Sequence, residues 1–399
     1  MDVRSNEPYW LIKNALAKSY SSLKEDISSE ILIVGGGISG ALIAYKLISS
    51  GRKVVLIDKR DICNGSTSAS TAMLQYEIDT SLHELIDQRG LTCAVSSYKN
   101  CEKAIFDLKK IVDEIKSECQ FEFKKSIYFC SKKKEIEFLE KEFKARKQYG
   151  FNVKWLDKEA LKNLGLVAEA AIESETGAVM DCYKFAGDLL EYCSKKGVKI
   201  YDRTELDSLI ENGERQIAIT KDGFKIEIKH IVYCTGYESV ESVKEEIVEL
   251  KSTYALASEA FKKLPKAFQK HIYWNTSDPY LYFRGTKDGR IIMGGGDENF
   301  KNAKRRDALL PKKENNLVKS FEKCFPDITY TLDYSWAGTF GETKDGLPYM
   351  GKPEPTKDKH YILGFGGNGI TFSVMGMDAI VESLDKAPHP YLEYYKFDR

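Results

Sequence analysis

Gly35-Gly36-Gly37-Ile38-Ser39-Gly40 follows a short apolar run, Ile31 to Val34, and opens a stretch in which Ile38, Ala41, Leu42, Tyr45 and Ile48 recur at helical spacing. Counted from Gly35, the spacing is Gly-x-Gly-x-x-Gly. Gly35 permits a tight turn after a strand, Gly37 lets a pyrophosphate reach the backbone, and Gly40 lets helix and strand pack closely. A helix that starts here, at Ile38 and Ser39, offers unpaired N–H groups and partial positive charge to phosphates. Asp58 ends the next apolar run, Val54 to Ile57, and Lys59 follows it. That is about 20 residues on, where a carboxylate can hold a ribose hydroxyl.

Three further segments suit the same chemistry. Gly65-Ser66-Thr67-Ser68-Ala69-Ser70-Thr71-Ala72 comes just after the second apolar run. Its small and hydroxyl residues, Ser66, Thr67, Thr71 and Ala72 among them, can close over a pyrophosphate and a flat ring. Tyr233-Cys234-Thr235-Gly236 ends another run, and Thr235-Gly236 lets the chain pass tightly beside a ligand. Late in the chain, Gly364, Gly366, Gly367, Asn368 and Gly369 precede Ile370 and Thr371 at the start of a last helix. Glycines at a helix start suit backbone pressed against an anionic or planar ligand. Taken alone, the serine-rich loop and the Thr-Gly pair are ordinary turns; their positions behind buried strands favour a cofactor role.

The elements that must position these residues are legible in outline. A polar lead-in over residues 1–29 carries Tyr9, Trp10, Leu11 and Ile12, which can pin it to the domain. Helical periodicity runs from Leu91 to Glu118 and from Lys132 to Tyr149. Strand-like alternation marks FEFKKSIYFCS, and residues 181–201 read as helix then strand. Two strands flank a Lys-Asp-Gly turn before His230, Asp288-Gly289 marks a hairpin, and the last helix spans roughly Thr371 to Asp385.

The four glycine- and serine-rich segments together resemble the FAD-dependent oxidoreductases of the D-amino-acid oxidase (DAO) superfamily, of the glycine oxidase and sarcosine oxidase kind. The resemblance runs from about Ile31 to Ile380 and takes in TGAVMDCYKFAGDLLEYCSKKGVKIY, DPYLYFRGTKDGRIIMGGGDENF and WAGTFGETKDGLPYMG. It implies an α/β chain: a discontinuous Rossmann-type FAD-binding domain (1–92, 160–245 and 333–399) with an inserted antiparallel-sheet α+β substrate domain (93–159 and 246–332). It also implies that Gly35, Gly37, Asp58, Thr67, Thr71 and Ala72 line the FAD. Gly338 and residues Gly366 to Thr371 would lie by the flavin. No sequence marks covalent flavin attachment, so FAD is expected to be held non-covalently. The flavin carries the chemistry, taking a hydride from a C–H beside nitrogen or oxygen, and no catalytic side chain is assigned.

One departure bears on the substrate. Several amino-acid oxidases of this family carry an Arg before the Asp-Gly-Leu-Pro turn, where it grips the substrate carboxylate. Phe340 stands there in Gly338-Thr339-Phe340-Gly341. Arg284, beyond Tyr282 in Tyr280-Leu281-Tyr282-Phe283-Arg284, is the candidate replacement, with a surface or ion-paired Arg as the alternative. The expected reaction is removal of a hydride beside an amine nitrogen of an amino acid or amine. Oxidation of a 2-hydroxy acid or polyol phosphate is the alternative, and a flavin-holding protein without turnover is a third reading. An NAD-dependent dehydrogenase is disfavoured, because the late glycine loop would have no cofactor role.

Composition narrows the field. The 399 residues carry 60 Lys+Arg and 60 Asp+Glu, a balance that argues against nucleic-acid binding. No apolar run approaches the roughly 18–20 residues of a membrane span, and no signal peptide is read, so the cytoplasm is expected. Nine cysteines without a CxxC suit reduced thiols. His83-Glu84 reads as a helix-surface pair or an acid/base pair, and the other four histidines show no metal spacing, so no metal is expected. The electron acceptor is expected to be O2 or a quinone or carrier.

Overall fold

The two short apolar runs, Ile31–Val34 and Val54–Ile57, are buried along their whole length and pair in parallel in the computed structural model. It describes residues 2–5, 7–16, 18–212, 215–241, 243, 247–354, 358–364 and 366–399. Burial on both faces explains why these strands are uniformly apolar rather than alternating. Ile31, Ile33, Val54 and Leu56 join one core, while Leu32, Val34, Val55 and Ile57 join another on the opposite face. The six-stranded sheet to which they belong runs Tyr349–Gly351, Lys359–Leu363, His230–Tyr233, Ile31–Val34, Val54–Ile57, Lys199–Tyr201. Its pairs are parallel except the first, which is antiparallel. The carboxyl ends are level: Val34 pairs with Ile57 on one side and Tyr233 on the other. Successive strands leave the central one in opposite directions, so a crevice opens above those ends.

One face of this sheet carries helices Ile38–Ile48, Cys182–Lys195 and Gly369–Leu384, which pack on one another. A four-stranded sheet supplies the core on the other face through Ala218, Ile226 and Ile228. It consists of Leu206–Asn212, Arg215–Thr220, Lys225–Ile228 and Ile27–Ser28. The lead-in folds as helix Tyr9–Asn14; Tyr9 and Trp10 are buried, while Ile12 is exposed.

The third sheet has ten strands. Its path runs Arg4–Ser5, Leu332–Glu342, Glu249–Ser258, Ile291–Asn299, Leu281–Gly285, His271–Asn275, Glu122–Cys130, Ala170–Val179, Met73–Gln75, with Val153–Leu156 beside Ala170–Val179. All its pairs are antiparallel except His271–Asn275 with Glu122–Cys130. This corrects the expected boundaries. Met73–Gln75, Ala170–Val179 and all of Leu332–Glu342 but its first residue lie in segments assigned to the nucleotide domain, yet their ladder partners are in the large sheet. Helix Leu91–Glu114, assigned mostly to the insert, packs against Gly369–Leu384 and shares the nucleotide-side core. Apolar periodicity reveals a strand but not which sheet completes its hydrogen bonds.

A buried ion network fixes the segment after Met73–Gln75. On helix Ile136–Gln148, Arg146 Nε donates to Glu142 Oε1 at 2.6 Å and Nη1 donates to Glu77 Oε1 at 3.2 Å. Glu142 also accepts from the Leu82 and His83 amides at 3.0 and 3.1 Å, at the start of helix Leu82–Arg89. His83 Nδ1 lies 2.9 Å from the same carboxylate, and Glu84 accepts from Ser81 instead. The sequence neighbours His83 and Glu84 therefore do not pair. Arg146, the Leu82 and His83 amides and the His83 ring together hold the Glu142 carboxyl low, at about 2, despite its burial. Removing one partner of such a network strands the other charges. Arg146→Met is expected to destabilise the protein by about 3–5 kcal/mol, read as the shift in a urea unfolding midpoint. A shift equivalent to less than about 1 kcal/mol, the ceiling of exposed pairs, would show the network is screened by solvent.

Candidate active site

Above the carboxyl ends of the six-stranded sheet lies a cavity of about 630 Å³. Gly35, Gly37, Ile38, Ser39, Asp58, Lys59, Ser66, Thr67, Thr235, Gly236, Gly366, Gly367, Gly369 and Ile370 all line it. Gly35 has φ +109°, and a Cβ there would sit 2.4 Å from the Cys234 carbonyl oxygen. A Cβ on Gly40 would sit 1.9 Å from the Gly35 oxygen. Gly40 does not line the cavity; its smallness brings the helix down onto the turn, as a phosphate-binding turn needs. Thr67 Oγ1 accepts from the Ile38 amide at 3.0 Å, and Ser39 Oγ meets Ser373 Oγ of helix Gly369–Leu384 at 2.7 Å; a further short helix, Pro390–Tyr394, follows the one the sequence marks as last.

Asp58 is held rigidly. Its two oxygens accept from the Gly36 and Arg60 amides at 2.7 and 2.8 Å. Burial lifts its pKa to about 6 against those two bonds. Lys59 and Arg60 both turn to Glu238 of the turn Gly236–Glu241, at 2.8 Å each. The sequence reading missed Arg60 and Glu238, which line the cavity with Asp58; their only signal was position beside Asp58 and the Thr-Gly pair.

Residues 66–72 form the wall that this cavity shares with a smaller one of about 150 Å³. Their carbonyls are bound one after another. Trp336 Nε1 donates to Ala69 at 2.9 Å and Trp10 Nε1 to Ser70 at 2.6 Å. Arg284 Nη1 lies 2.7 Å from the carbonyl oxygens of both Thr71 and Ala72, and 3.0 Å from that of Met180. Arg284 is buried and does not line the smaller cavity. The expectation that it grips a substrate carboxylate is therefore corrected: its Nη1 and Nε are turned to backbone oxygens, away from the smaller cavity. Tyr282 and Arg284 are two apart on one strand, hence on one face, but the 66–72 wall covers the Arg and leaves the Tyr open. Ala72, with φ +51°, lines neither cavity.

The smaller cavity lies against the large sheet and is lined by Thr71, Tyr282, Gly338, Phe340 and Asn368 of the expected set. Tyr237, Trp274, Tyr280, Asp79, Gln75 and Thr253 also line it and were not foreseen. The glycine loop is the hinge between the two spaces. The Gly366 amide donates to the Gly341 carbonyl at 2.7 Å, and the Gly367 amide to Asp79 Oδ2 at 2.8 Å. Asn368 Nδ2 donates to the carbonyls of Gln75 and Glu77 at 3.1 and 2.9 Å. Thr371 is buried, donates to the Asn368 carbonyl and lines neither cavity.

Two histidines that no sequence spacing linked do meet, at the amino ends of the strands His230–Tyr233 and Lys359–Leu363, away from the cavity. Asp358 lies 2.6 Å from His230 Nδ1 and 2.9 Å from His360 Nε2. Lys352 is 3.2 Å from the same carboxylate. The His360 contact is a hydrogen bond, the His230 one a close approach without hydrogen-bond geometry, and the group sits at the starts of two parallel strands. All nine cysteines are free and buried.

Arg284 generates a test of the shared wall. Arg284→Ala removes the donor to three buried carbonyls, so it is expected to lower the melting temperature and weaken FAD retention at least tenfold. Arg284→Lys, which keeps the charge with fewer donors, is expected to fall between. Unchanged cofactor retention with a selective loss of binding for acidic substrates would instead return Arg284 to the substrate.

The family model described as DAO, FAD dependent oxidoreductase, matches residues 30–381. The chain is 25% identical over 393 residues to a Bacillus subtilis protein named as a Rieske 2Fe-2S iron-sulfur protein, YhfW, covering 96% of this chain and 74% of that one. It is 25% identical over 373 residues to glycine oxidase of Geobacillus kaustophilus, covering 86% and 89%. Its fold matches L-proline dehydrogenase from P. horikoshii with a TM-score of 0.78 at 19% identity, over 94% of this chain and 97% of that one. With the glycine turn, the shared wall and the late glycine loop meeting over one crevice, this chain belongs to the DAO family of FAD-dependent oxidoreductases.

Proposed function

We propose that the chain oxidises a C–N bond, removing a hydride from a carbon beside an amine nitrogen of an amine or amino acid. Gly35, Gly37, Ile38, Ser39, Asp58, Lys59, Ser66, Thr67, Thr235 and Gly236 hold the nucleotide part of FAD, and residues 366–370 hold the flavin end. Bound FAD supplies the hydride acceptor. The observation that carries this reading is the make-up of the smaller cavity. Among the described residues, no Lys, Arg or His lines it. An amine arrives as an ammonium cation, which the Asp79 carboxylate in the lining can meet and deprotonate. A 2-hydroxy acid or polyol phosphate would bring an anion into a space with no cation to meet it, which is costly. In this reading Phe340, Tyr282 and Trp274 exclude water, and Gly338 leaves room beside Thr253. Electrons pass on to O2 or to a quinone or carrier, and the reaction runs in the cytoplasm. Among the described residues, no helix is long and apolar enough to cross a membrane.

Two measurements check it. The purified protein should be yellow and release FAD into the supernatant on acid precipitation. Mixed anaerobically with amines and amino acids, its flavin should bleach, whereas lactate and glycerol 3-phosphate should leave it oxidised; the reverse pattern would assign the C–O reaction. The Asp58 carboxyl adds a pH signature. It is ionised above about pH 6 and protonated below. Losing a charged acceptor to ribose costs about tenfold in affinity. FAD binding should therefore weaken about tenfold as pH falls through 6, and Asp58→Asn should be uniformly weak with no such step. A step that survives in Asp58→Asn would place the titration on another group.

A further inference from the structure

The smaller cavity is acidic and aromatic. Asp79 lines it, exposed to the cavity, with one oxygen on the Gly367 amide. The other faces the glycine loop beside the Tyr280 hydroxyl: a Cβ built on Gly367 would meet Asp79 Oδ1 at 2.8 Å and the Tyr280 hydroxyl at 3.3 Å. Behind Thr253, which lines the cavity and donates to it, stands Asp297. Its Oδ1 is buried with no hydrogen-bond partner, and so is Nε2 of Gln75 on the cavity wall. Glu342 acts on both aspartates and pairs with Lys251 at 3.5 Å. Glu77 also lines it, with its buried carboxylate on Arg146 at 3.2 Å, and Tyr237, Trp274, Tyr280, Tyr282 and Phe340 give the aromatic part of the lining. Trp274 is held by stacking on Tyr128 at 3.7 Å, and the rings of Tyr280 and Tyr282 lie 5.9 Å apart.

Such a space repels a carboxylate and attracts a cation. A substrate carboxylate would meet Asp79 with no guanidinium between them, because Phe340 supplies a ring and Arg284 is bound to backbone. An ammonium would gain a carboxylate and several aromatic faces together, and cation–π contacts strengthen when desolvated. At about 150 Å³, the cavity is the size of an engineered apolar cavity that admits benzene. It therefore holds a small amine or the amine end of a longer molecule.

Resting on the C–N reading above, we propose that the substrate is a carboxylate-free aliphatic amine, bound as its ammonium with Asp79 as the anionic contact and the aromatic residues around its carbon groups. Hydride loss needs the free amine, and Asp79 is placed to take the proton: the ammonium N–H breaks and a carboxyl O–H forms. Enclosure lifts the Asp79 pKa to about 6, and the Asp297 pKa to about 7 with the neighbouring carboxylates adding to it. A carboxylate so raised is a better proton acceptor than an ordinary one.

The test is anaerobic stopped-flow reduction of the holoenzyme by amines matched to the α-amino acids from which they differ only by the carboxylate. The pairs are pyrrolidine and proline, dimethylamine and sarcosine, and cadaverine and lysine. In each pair that reacts, the amine should have at least a tenfold higher ratio of reduction rate constant to Kd. Asp79→Asn should raise the amine Kd about tenfold at unchanged FAD content, and should remove the proton acceptor from the pH profile of reduction. Phe340→Arg should shift the ratio at least tenfold toward the amino acid. Faster reduction by the amino acids, or an amine Kd and pH profile indifferent to Asp79→Asn, would overturn the proposal while leaving C–N oxidation standing. Reduction by lactate or glycerol 3-phosphate alone would sink the C–N reading itself. A flavin that dithionite reduces but none of these compounds does would sink both.

Discussion

Four consecutive carbonyls, Ala69 to Ala72, are held by side chains from other elements: two indoles and one guanidinium. This stretch crosses from the nucleotide-side helices to the large sheet with no strand beside it. Backbone oxygens buried without partners would each cost free energy comparable to a lost hydrogen bond. Trp10, Trp336 and Arg284 supply those partners from the lead-in helix and from two separate strands of the large sheet. The wall between the two cavities exists because of them. Among the described residues Arg284 makes no ion pair; burial lowers its pKa only to about 10, with Asp181 and Asp288 acting from a distance, so it stays protonated at neutral pH and meets carbonyl dipoles.

Charge is sorted across that wall. On the nucleotide side, Lys59 and Arg60 are close-packed with Asp58 and Glu238, so cations and hydrogen-bond acceptors stand together where phosphates and ribose are bound. On the other side, the described lining offers carboxylate, hydroxyl, amide and ring, but no cation. The glycine loop touches both. Its Gly366 amide reaches the strand that carries Phe340, and its Gly367 amide reaches Asp79. The same few backbone amides thus bring the cofactor end and the substrate cavity into one geometry.

The glycine turn was legible in the sequence because its constraint is local. Gly35, Gly40 and Cys234 collide unless the two glycines lack a side chain, and the flanking apolar runs are short enough to be read as strands. Asp58 followed from spacing alone. The domain boundaries were not legible, because Ala170–Val179 and Leu332–Glu342 find their partners on strands well back along the chain, Glu122–Cys130 and Glu249–Ser258. Arg284 misled for a related reason: strand alternation puts it on the same face as Tyr282, but the covering loop comes from residues 66–72. Asp79 carried no motif at all, and Tyr280 stood in a quoted segment without an assigned role; both come close to Gly367 of the glycine loop.

The buried ion network stands behind the contact of Asp79 with the glycine loop. A buried pair of charges is poor value for stability, since desolvation offsets most of the attraction. Here the chain of contacts runs from Glu142 through Arg146 to Glu77, whose backbone carbonyl then accepts from Asn368 in the glycine loop. Asp79, two residues on, takes the Gly367 amide. The segment between Gln75 and Asp79 has left the ladder of Met73–Gln75, so its path is set by these contacts rather than by a strand partner. Charge-assisted bonds are short and directional, which suits a segment that must present Asp79 to the cavity and two carbonyls to the loop. The network is therefore better understood as fixing the position of Asp79 against the glycine loop than as a source of net stability.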